Sequence, residues 1–483
     1  MNILFVASEC VPFSKTGGLA DVIGSLPISL QEQGLDVRVI VPKYKSIPDY
    51  WKNQMREKHV TNVSLGWREQ YCGVEELEID GIHYYFIDNE FYFGRDYIYG
   101  QGNDYEEAER FAFFSKAVLE SLPALDFQPD ILHVHDWQTA LTSLYLQTQY
   151  AHKPFYEQMK TVLTIHNLKY QGVFPADVLG DLLELGEEYF TSEQLEFYGQ
   201  VNFLKTGLIY ADYLTTVSDT YAREIQQPAY GEGLEGVLQK CSSKLVGIPN
   251  GIDYRSYNPY QDVHLHAKRG VYDWKSENKR VVQERFGLPK LEVPMLAMVT
   301  RLVEQKGIDL LTHVIEDLLE EDIQVVIVGE GETYYEELLL DIAAYFPKKM
   351  AFQPSFDEAL SHQIYAASDL LLMPSKYEPC GVSQLIALQY ETVPVVRETG
   401  GLKDTIHSYD ERTGDGNGFS FEHYNADEML HTIKRALACY EDPFVWWRIN
   451  QNIRKCDVSW TQSSLRYKNL YERVCELNEA VVL

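Results

Sequence analysis

The chain has 483 residues, 24% of them charged and 45% hydrophobic, which suits a folded protein of about two to four domains and not a disordered chain. Acidic residues outnumber basic ones by 72 to 42, a formal charge of −30. A field of that sign repels nucleic acid and anionic membrane surfaces, so any anionic ligand must be met by a local cluster of basic groups. The seven cysteines include no Cys-x-x-Cys pair, which argues against a zinc ribbon or disulfide framework and fits a reducing cytosol. The opening residues reach Glu9 before any signal-length apolar run is complete. No stretch approaches the roughly 18–20 apolar residues that span a bilayer, so the expectation is a cytoplasmic protein.

The first forty residues set the architecture. Ile3 to Ala7 is a continuous apolar run, as a strand buried on both faces requires. The loop Lys15-Thr16-Gly17-Gly18 follows, and then Leu19, Val22, Ile23, Leu26 and Leu30 recur on one face of a helix. Gly34 stops that helix and Val37 to Val41 forms a second buried strand, completing a parallel βαβ unit. Further strands are expected at Ile131–His135, Thr161–Ile165, Leu214–Val217 and Leu245–Ile248. Alternation at Glu76–Ile79 and His83–Ile87 points to an antiparallel excursion within residues 51–100.

After Asn250-Gly251-Ile252-Asp253 comes a polar stretch to about residue 290 with no apolar period. A second series follows, with strands at Leu296–Val299, Gln324–Val328, Lys349–Phe352, Leu370–Met373 and Val393–Val396. The fold class is therefore α/β, two doubly wound Rossmann-like domains facing across a cleft. The expected boundaries are 1–250, 251–460 and a C-terminal helix, 461–483, returning to the first domain. A cleft between two such domains is the default place for a ligand.

Several loops at strand ends carry chemistry. Gly17 and Gly18 let backbone N–H groups approach an oxyanion at a helix N-terminus while Lys15 adds a charge, although a plain turn has the same spacing. Arg301 and Lys306 follow the first strand of the second series, where a forked guanidinium and an ammonium suit a diphosphate. A pair of solvated surface cations is the bland alternative. Thr399-Gly400-Gly401 is a second Gly-rich loop of the same kind.

Glu378, in Tyr377-Glu378-Pro379-Cys380-Gly381, is placed to accept sugar hydroxyls or to stabilise positive charge at a reacting carbon, or else it only complements a helix dipole. Cys380 is a substrate contact or packing residue more readily than a nucleophile. His133 and His135 share a strand face, but no further ligands complete a metal site. Asp136 and His166, each just beyond a strand, are candidates for polar groups in the cleft. The literal G-x-G-x-x-G at Gly231 to Gly236 follows no buried strand and lacks the context of a dinucleotide site.

Taken in order, these stretches resemble one family, the bacterial glycogen synthases and plant starch synthases of the GT-B fold. The resemblance runs through residues 15–22, His135-Asp136-Trp137, His166 to Gly172, Asn202 to Gly207, Pro249 to Asp253, Arg301 to Gly307, Tyr377 to Gly381 and Val393 to Leu402. It implies transfer of glucose from a nucleotide sugar, ADP-glucose by family expectation, to the non-reducing end of an α-1,4-glucan such as glycogen, with retention of configuration. It also implies that Lys15, Arg301 and Lys306 contact the donor diphosphate and that Gly18 and Thr399-Gly400-Gly401 present N–H groups to it. Asp136, His166, Asn250, Glu378, Cys380 and Gly381 would then line the glucose pocket.

No metal or cofactor is expected, and neither a nucleic-acid nor a membrane partner. The sequence departs from the family pattern at Lys169, where a small residue is usual, and at Tyr257, where Trp is common. Ile386 stands where broader retaining GT-B enzymes carry a second Glu, which favours the glycogen and starch synthase branch.

Overall fold

The computed structural model describes residues 1–100 and 102–476. The chain divides into two compact units. Unit 1 holds Met1–Val217, Ala222–Asn250 and the C-terminal segment from Trp460, and unit 2 holds Ser218–Tyr221 and Gly251–Ser459. Among the described residues no helix is long and apolar enough to cross a membrane.

Unit 1 is built on strands β1 (Asn2–Val6), β2 (Asp36–Pro42), β3 (Arg56–Leu65), β4 (Arg68–Ile79), β5 (Ile82–Asp88), β6 (Ile131–His135) and β7 (Lys160–Ile165). They are followed by β8 (Val173–Phe174), β9 (Glu196–Phe197), β10 (Gln200–Asn202), β11 (Tyr213–Thr216) and β12 (Leu245–Gly247). Nine of these form one sheet in the order β12-β11-β7-β6-β1-β2-β5-β4-β3, while β8, β10 and β9 make a small separate sheet. From β12 to β5 every neighbour is parallel, and β4 and β3 add an antiparallel edge. The alternating stretches at 76–87 lie in β4 and β5, paired antiparallel through Ile79 and Ile82. β1 and β6 read as unbroken apolar runs because both faces of the central strands are covered by helices.

The C-terminal helix Trp460–Glu476 packs on the first helix, Gly18–Glu32. Ser464 Oγ meets Ser29 Oγ at 2.9 Å, and Lys468 donates to the Gln33 carbonyl at 2.9 Å. Tyr471 reaches the sheet itself and bonds His133 Nδ1 at 2.7 Å. Residues 477–483 of the expected terminal helix lie outside the described residues.

Unit 2 contains β13 (Met295–Val299), β14 (Gln324–Val328), β15 (Met350–Gln353), β16 (Leu370–Met373), β17 (Val393–Arg397) and β18 (Phe419–Phe421). They form a parallel sheet in the order β15-β14-β13-β16-β17-β18. Counted within the unit this is 3-2-1-4-5-6, the doubly wound order in which the winding reverses between the first and fourth strands. Ligands bind at that reversal, beyond the carboxyl ends of the strands. In unit 1 the parallel strands from β5 to β12 follow the same order with one strand more, and the reversal lies between β1 and β6.

The polar stretch before residue 290 differs from the sequence reading. It contains a helix, Trp274–Arg285, whose buried positions include Asn278, Lys279 and Gln283 beside Trp274 and Val282. Its inward face is polar because its partners are backbone groups and charges. Asn278 accepts the N–H groups of His266 and Ala267 and donates to the Ala267 and Trp274 carbonyls, at 2.7–3.2 Å. Gln283 donates to Gln324 and to the Leu291 carbonyl, and Lys279 pairs with Asp369. A hydrophobic period is absent from a helix buried through hydrogen bonds.

Asn278→Ala should therefore destabilise unit 2 by about 1–3 kcal/mol, because it removes the acceptor of the His266 and Ala267 N–H groups and a donor to the buried Ala267 carbonyl. Denaturant unfolding, followed for this unit, measures the shift. An unchanged midpoint would mean that the 266–267 segment is held by other groups.

Candidate active site

In unit 2 the loops after β13, β16 and β17 meet at the carboxyl edge of the sheet. β13 runs into Thr300 and Arg301, then a single turn, Glu304–Lys306, and then Gly307, which opens the helix Ile308–Leu319. Gly307 has φ of +72°, and a Cβ there would lie 2.2 Å from the Pro374 carbonyl oxygen. Only glycine lets the chain turn this close to the neighbouring loop.

Lys306 Nζ lies 2.5 Å from Glu378 Oε2, with side-chain exposures of 16% and 8%. The Ser375 hydroxyl donates to the same carboxylate oxygen at 3.1 Å. Gln305 donates to the Tyr377 carbonyl, Lys376 pairs with Glu304, and Arg397 donates to the Lys376 carbonyl at 2.6 Å. The β13 and β16 loops are thus zipped together, and Arg301 remains exposed on their rim.

The Gly400-Gly401 turn packs backbone against backbone on the β16 loop. A Cβ on Gly400 would come within 1.9 Å of the Glu378 carbonyl oxygen, and one on Gly401 within 2.1 Å of that of Cys380. The Gly401 N–H donates to the Glu378 and Pro379 carbonyls. At this position the glycine serves close packing, and its amide is engaged within the protein. Thr399 and Cys380 are buried, Cys380 is in no disulfide, and Gly381 has φ of +75°.

In unit 1 the equivalent edge carries Glu9, Lys15, Gly18, Asp136 and His166. Glu9, buried just beyond β1, accepts the Thr16 N–H at 2.5 Å and the Thr16 hydroxyl at 3.1 Å, so it pins the Lys15-Thr16-Gly17-Gly18 loop from below. Burial raises its carboxyl above the ordinary range against these bonds, which include the Gly17 N–H. The Thr16 and Gly17 amides are therefore held by a side chain of the protein, so of the two glycines expected from sequence to bring N–H groups to an oxyanion, Gly17 is already engaged. Gly18 opens the helix Gly18–Glu32 with clear space where a Cβ would stand, and Lys15 Nζ rests on Asp21 at 2.6 Å.

Asp136 has φ of +56° and ψ of −173°, a backbone region that side chains other than glycine's rarely adopt. The strained turn sends its carboxylate back across the sheet, where Oδ1 accepts the His166 N–H at 2.7 Å and the carboxylate also takes the Asn167 N–H. Burial lifts the Asp136 carboxyl to about 7, against the lowering effect of those two bonds. His166 Nε2 lies 3.0 Å from His135 Nδ1, and burial lowers the His166 imidazole to about 3, so it is neutral at physiological pH.

The two histidines at 133 and 135 do lie side by side, with ring centroids 4.2 Å apart. His133 is engaged at both nitrogens, by Thr164 at 2.6 Å and Tyr471 at 2.7 Å, and serves the core. Asn250, after β12, is buried, and its Oδ1 has no hydrogen-bond partner among the described residues.

Unit 2 thus assembles Arg301, Lys306, Glu378, Cys380, Gly381, Thr399, Gly400 and Gly401 at its reversal edge, and unit 1 assembles Lys15, Gly18, Asp136 and His166 at its own. Glu9, Ser375 and Arg397 were not singled out from sequence. Their signal was position alone, Glu9 and Ser375 just beyond a strand and Arg397 the last residue of one, each beside a loop already suspected. The literal G-x-G-x-x-G runs from a turn into the first two residues of a short helix, Glu235–Lys240, and Gln171 donates to the Glu232 carbonyl within it.

The Asp136 carboxyl has a pH consequence. Below its ordinary value of 3.8 it is protonated whether the chain is folded or unfolded. As pH rises toward about 7 the unfolded chain ionises first, and folding loses stability until the folded group ionises too. Relative to Asp136→Asn, wild type should lose thermal stability from pH 5 to pH 8. A constant gap in melting temperature across that range would show that Asp136 is ionised throughout.

Residues 2–240 match the family model described as the starch synthase catalytic domain, and residues 282–449 match that of glycosyl transferases group 1. The chain is 54% identical over 480 residues to a glycogen synthase of Bacillus cereus, covering 99% of this chain and all of the relative. It is 52% identical to a glycogen synthase of Desulforamulus reducens over 98% of this chain and 99% of that one. Among solved structures it is similar to the catalytic domain of starch synthase IV from Arabidopsis thaliana bound to ADP and acarbose, with TM-score 0.90 and 33% identity over 98% of this chain and 99% of that one. A sucrose-phosphate synthase from Thermosynechococcus elongatus, 14% identical with TM-score 0.60 and 98% of both chains covered, shares the fold. With whole-length identity above one half and the two Rossmann-like units of the GT-B fold, the chain belongs to the glycogen and starch synthase family of glycosyltransferases.

Proposed function

We propose that this protein is a cytoplasmic glycogen synthase that transfers glucose from ADP-glucose to the non-reducing end of an α-1,4-glucan with retention. The observation that carries the reading is the placement of Arg301 and Lys306, with Glu378, at the reversal point of a 3-2-1-4-5-6 sheet in a chain of net charge −30. Whole-length similarity to glycogen synthases supports the acceptor, and the ADP held by the similar starch synthase supports the nucleotide.

Breaking the bond to the leaving diphosphate puts negative charge on its oxygens and cationic character on the sugar carbon. Arg301 and Lys306 are assigned to the developing diphosphate charge, where fixed cations act without reorganisation at the moment of reaction. Glu378 holds the Lys306 ammonium in place and offers its other oxygen to a sugar hydroxyl. Cys380, Gly381, Thr399, Gly400 and Gly401 shape the donor pocket around it.

In unit 1 the neutral His166 is assigned a hydrogen bond to the glucosyl group. Asp136 orients the His166-Asn167 backbone and offers its second carboxylate oxygen. Lys15 and Gly18 meet the substrate as a charge and an N–H, and Asn250 offers a carbonyl oxygen that has no partner among the described residues. Retention follows either front-face attack or a double displacement.

The test compares ADP-glucose with UDP-glucose at saturating glycogen. ADP release should occur only when glucan is present and should exceed UDP release. A protein that retains glycogen yet releases no nucleotide would be a glucan-binding protein. Preference for UDP-glucose would replace the donor and keep the reaction.

Arg301→Ala and Lys306→Ala should each lower kcat/KM by about 10²-fold or more. Lys306→Ala also strands the buried Glu378 carboxylate, so melting curves accompany the kinetics. Full turnover in both folded variants would place the diphosphate elsewhere.

A further inference from the structure

Four residues that follow β11, Ser218–Tyr221, belong to unit 2, although the chain before and after them belongs to unit 1. They open a short helix, Asp219–Glu224. Ser218 stands at its N-cap, where Oγ accepts the Tyr221 N–H at 3.1 Å. Asp404, in the helix Gly400–Thr405, takes the Thr220 N–H at 2.9 Å on one carboxylate oxygen and the Thr220 hydroxyl at 2.5 Å on the other.

The Ser218 hydroxyl does more than cap. It is fully buried, and while it accepts from Tyr221 it donates its proton to the Pro379 carbonyl at 2.6 Å. Proline has no N–H, so its carbonyl is its one backbone handle for a hydrogen bond. That oxygen also accepts the Gly401 N–H at 3.1 Å. A residue that precedes proline has a narrow backbone range, so holding the Pro379 carbonyl restrains Glu378 as well.

From Tyr377 to Gly381 each backbone carbonyl has a donor. Gln305 serves Tyr377, Gly401 serves Glu378 and Pro379, and Gln384 serves Cys380 and Gly381. Those three donors lie in the segments that follow β13, β16 and β17, whereas Ser218 comes from far earlier in the chain. The Gly400–Thr405 turn is tied in the same way. The Thr405 hydroxyl donates back to the Gly401 carbonyl at 2.6 Å, and Asp404 beside it is held by Thr220. The segment at 218–220 therefore grips both loops that bear on Glu378, one through Pro379 and the other through Asp404.

Resting on the functional reading above, we infer that Ser218 and Asp404 are positioning residues for the transfer reaction. They fix the backbone that carries Glu378, and so the place of the Lys306 ammonium paired with its carboxylate. Ser218 is closed to solvent and acts through Glu378 without meeting substrate. A charged group displaced by about an ångström loses much of its hold on a transition state, so a small release of this loop has a large effect on turnover.

The experiment uses the full chain and the variants Ser218→Ala, Asp404→Ala, Glu378→Gln and Ser218→Ala/Glu378→Gln, with melting curves to establish folding. Ser218→Ala and Asp404→Ala should each lower kcat about ten-fold and weaken calorimetric ADP affinity about three-fold, while KM for glycogen stays within about two-fold. In the Glu378→Gln background Ser218→Ala should cost less than about two-fold further, because the group it positions is already gone. Wild-type kcat and ADP affinity in the folded variants would overturn the inference. So would a full ten-fold loss in the Glu378→Gln background, which would mean that Ser218 acts through another group. If Ser218→Ala does not fold, Asp404→Ala and its double variant with Glu378→Gln decide the matter by the same criteria. ADP affinity is read without any transfer of glucose. A wild type that binds ADP and transfers none would refute the functional reading and leave the affinity comparison to test the positioning of Lys306, whereas one that binds no ADP would overturn both.

Discussion

Lys306 and Glu378 form an ion pair that is nearly closed to solvent, and it bridges the two loops between which the sheet of unit 2 reverses its winding. An unpaired carboxylate at that depth would be costly, so the position of each side chain depends on the other. The same loops are cross-linked by Lys376 with Glu304, Arg397 at the end of β17 ties in through the Lys376 carbonyl, and glycines at 307, 400 and 401 let the backbones come together. The cationic rim at Arg301 and Lys306 is therefore held by a rigid base. That is what a site requires when it must stabilise charge without moving.

Unit 1 reaches a comparable rigidity by a different route. Its reversal point is braced by carboxylates that act on backbone amides: Glu9 on Thr16 and Gly17, and Asp136 on His166 and Asn167. Both carboxyls are raised by burial, and the Asp136 backbone is strained besides. Groups under this much constraint at a strand end are typical of a site where geometry outweighs stability. His133 shows the contrast, since its two bonds serve the sheet and the C-terminal helix and leave it nothing to offer a ligand.

The charge distribution follows one logic. In a chain with a formal charge of −30, Arg301 and Lys306 are the cations proposed to meet phosphate, while other cations are consumed in structural pairs such as Lys279 with Asp369 and Arg454 with Glu391. Lys15 stands between these cases, resting on Asp21 yet half exposed, so a ligand's charge has only a surface pair to displace.

Most of the architecture was legible in the sequence. The central strands of both sheets are apolar runs, because a strand covered on both faces must be, and the glycines and cations that follow them mark the edge where ligands bind. The helix Trp274–Arg285 was not legible, because its inward face is polar: Asn278 bonds the preceding loop, and Lys279 and Gln283 pair with Asp369 and Gln324, groups remote in the chain. The short strand Phe419–Phe421 was missed as well, since three residues carry no period. For the candidate site, residue types and strand-end positions picked out Arg301, Lys306, Glu378, Asp136 and His166 as candidates. Only the tertiary structure decided which partners hold them, that Glu9 takes the amides of the first glycine loop, and that Gly401 serves packing. Local pattern encodes which segments are buried and where they turn. Pairing across loops depends on distances that the chain's linear order does not contain.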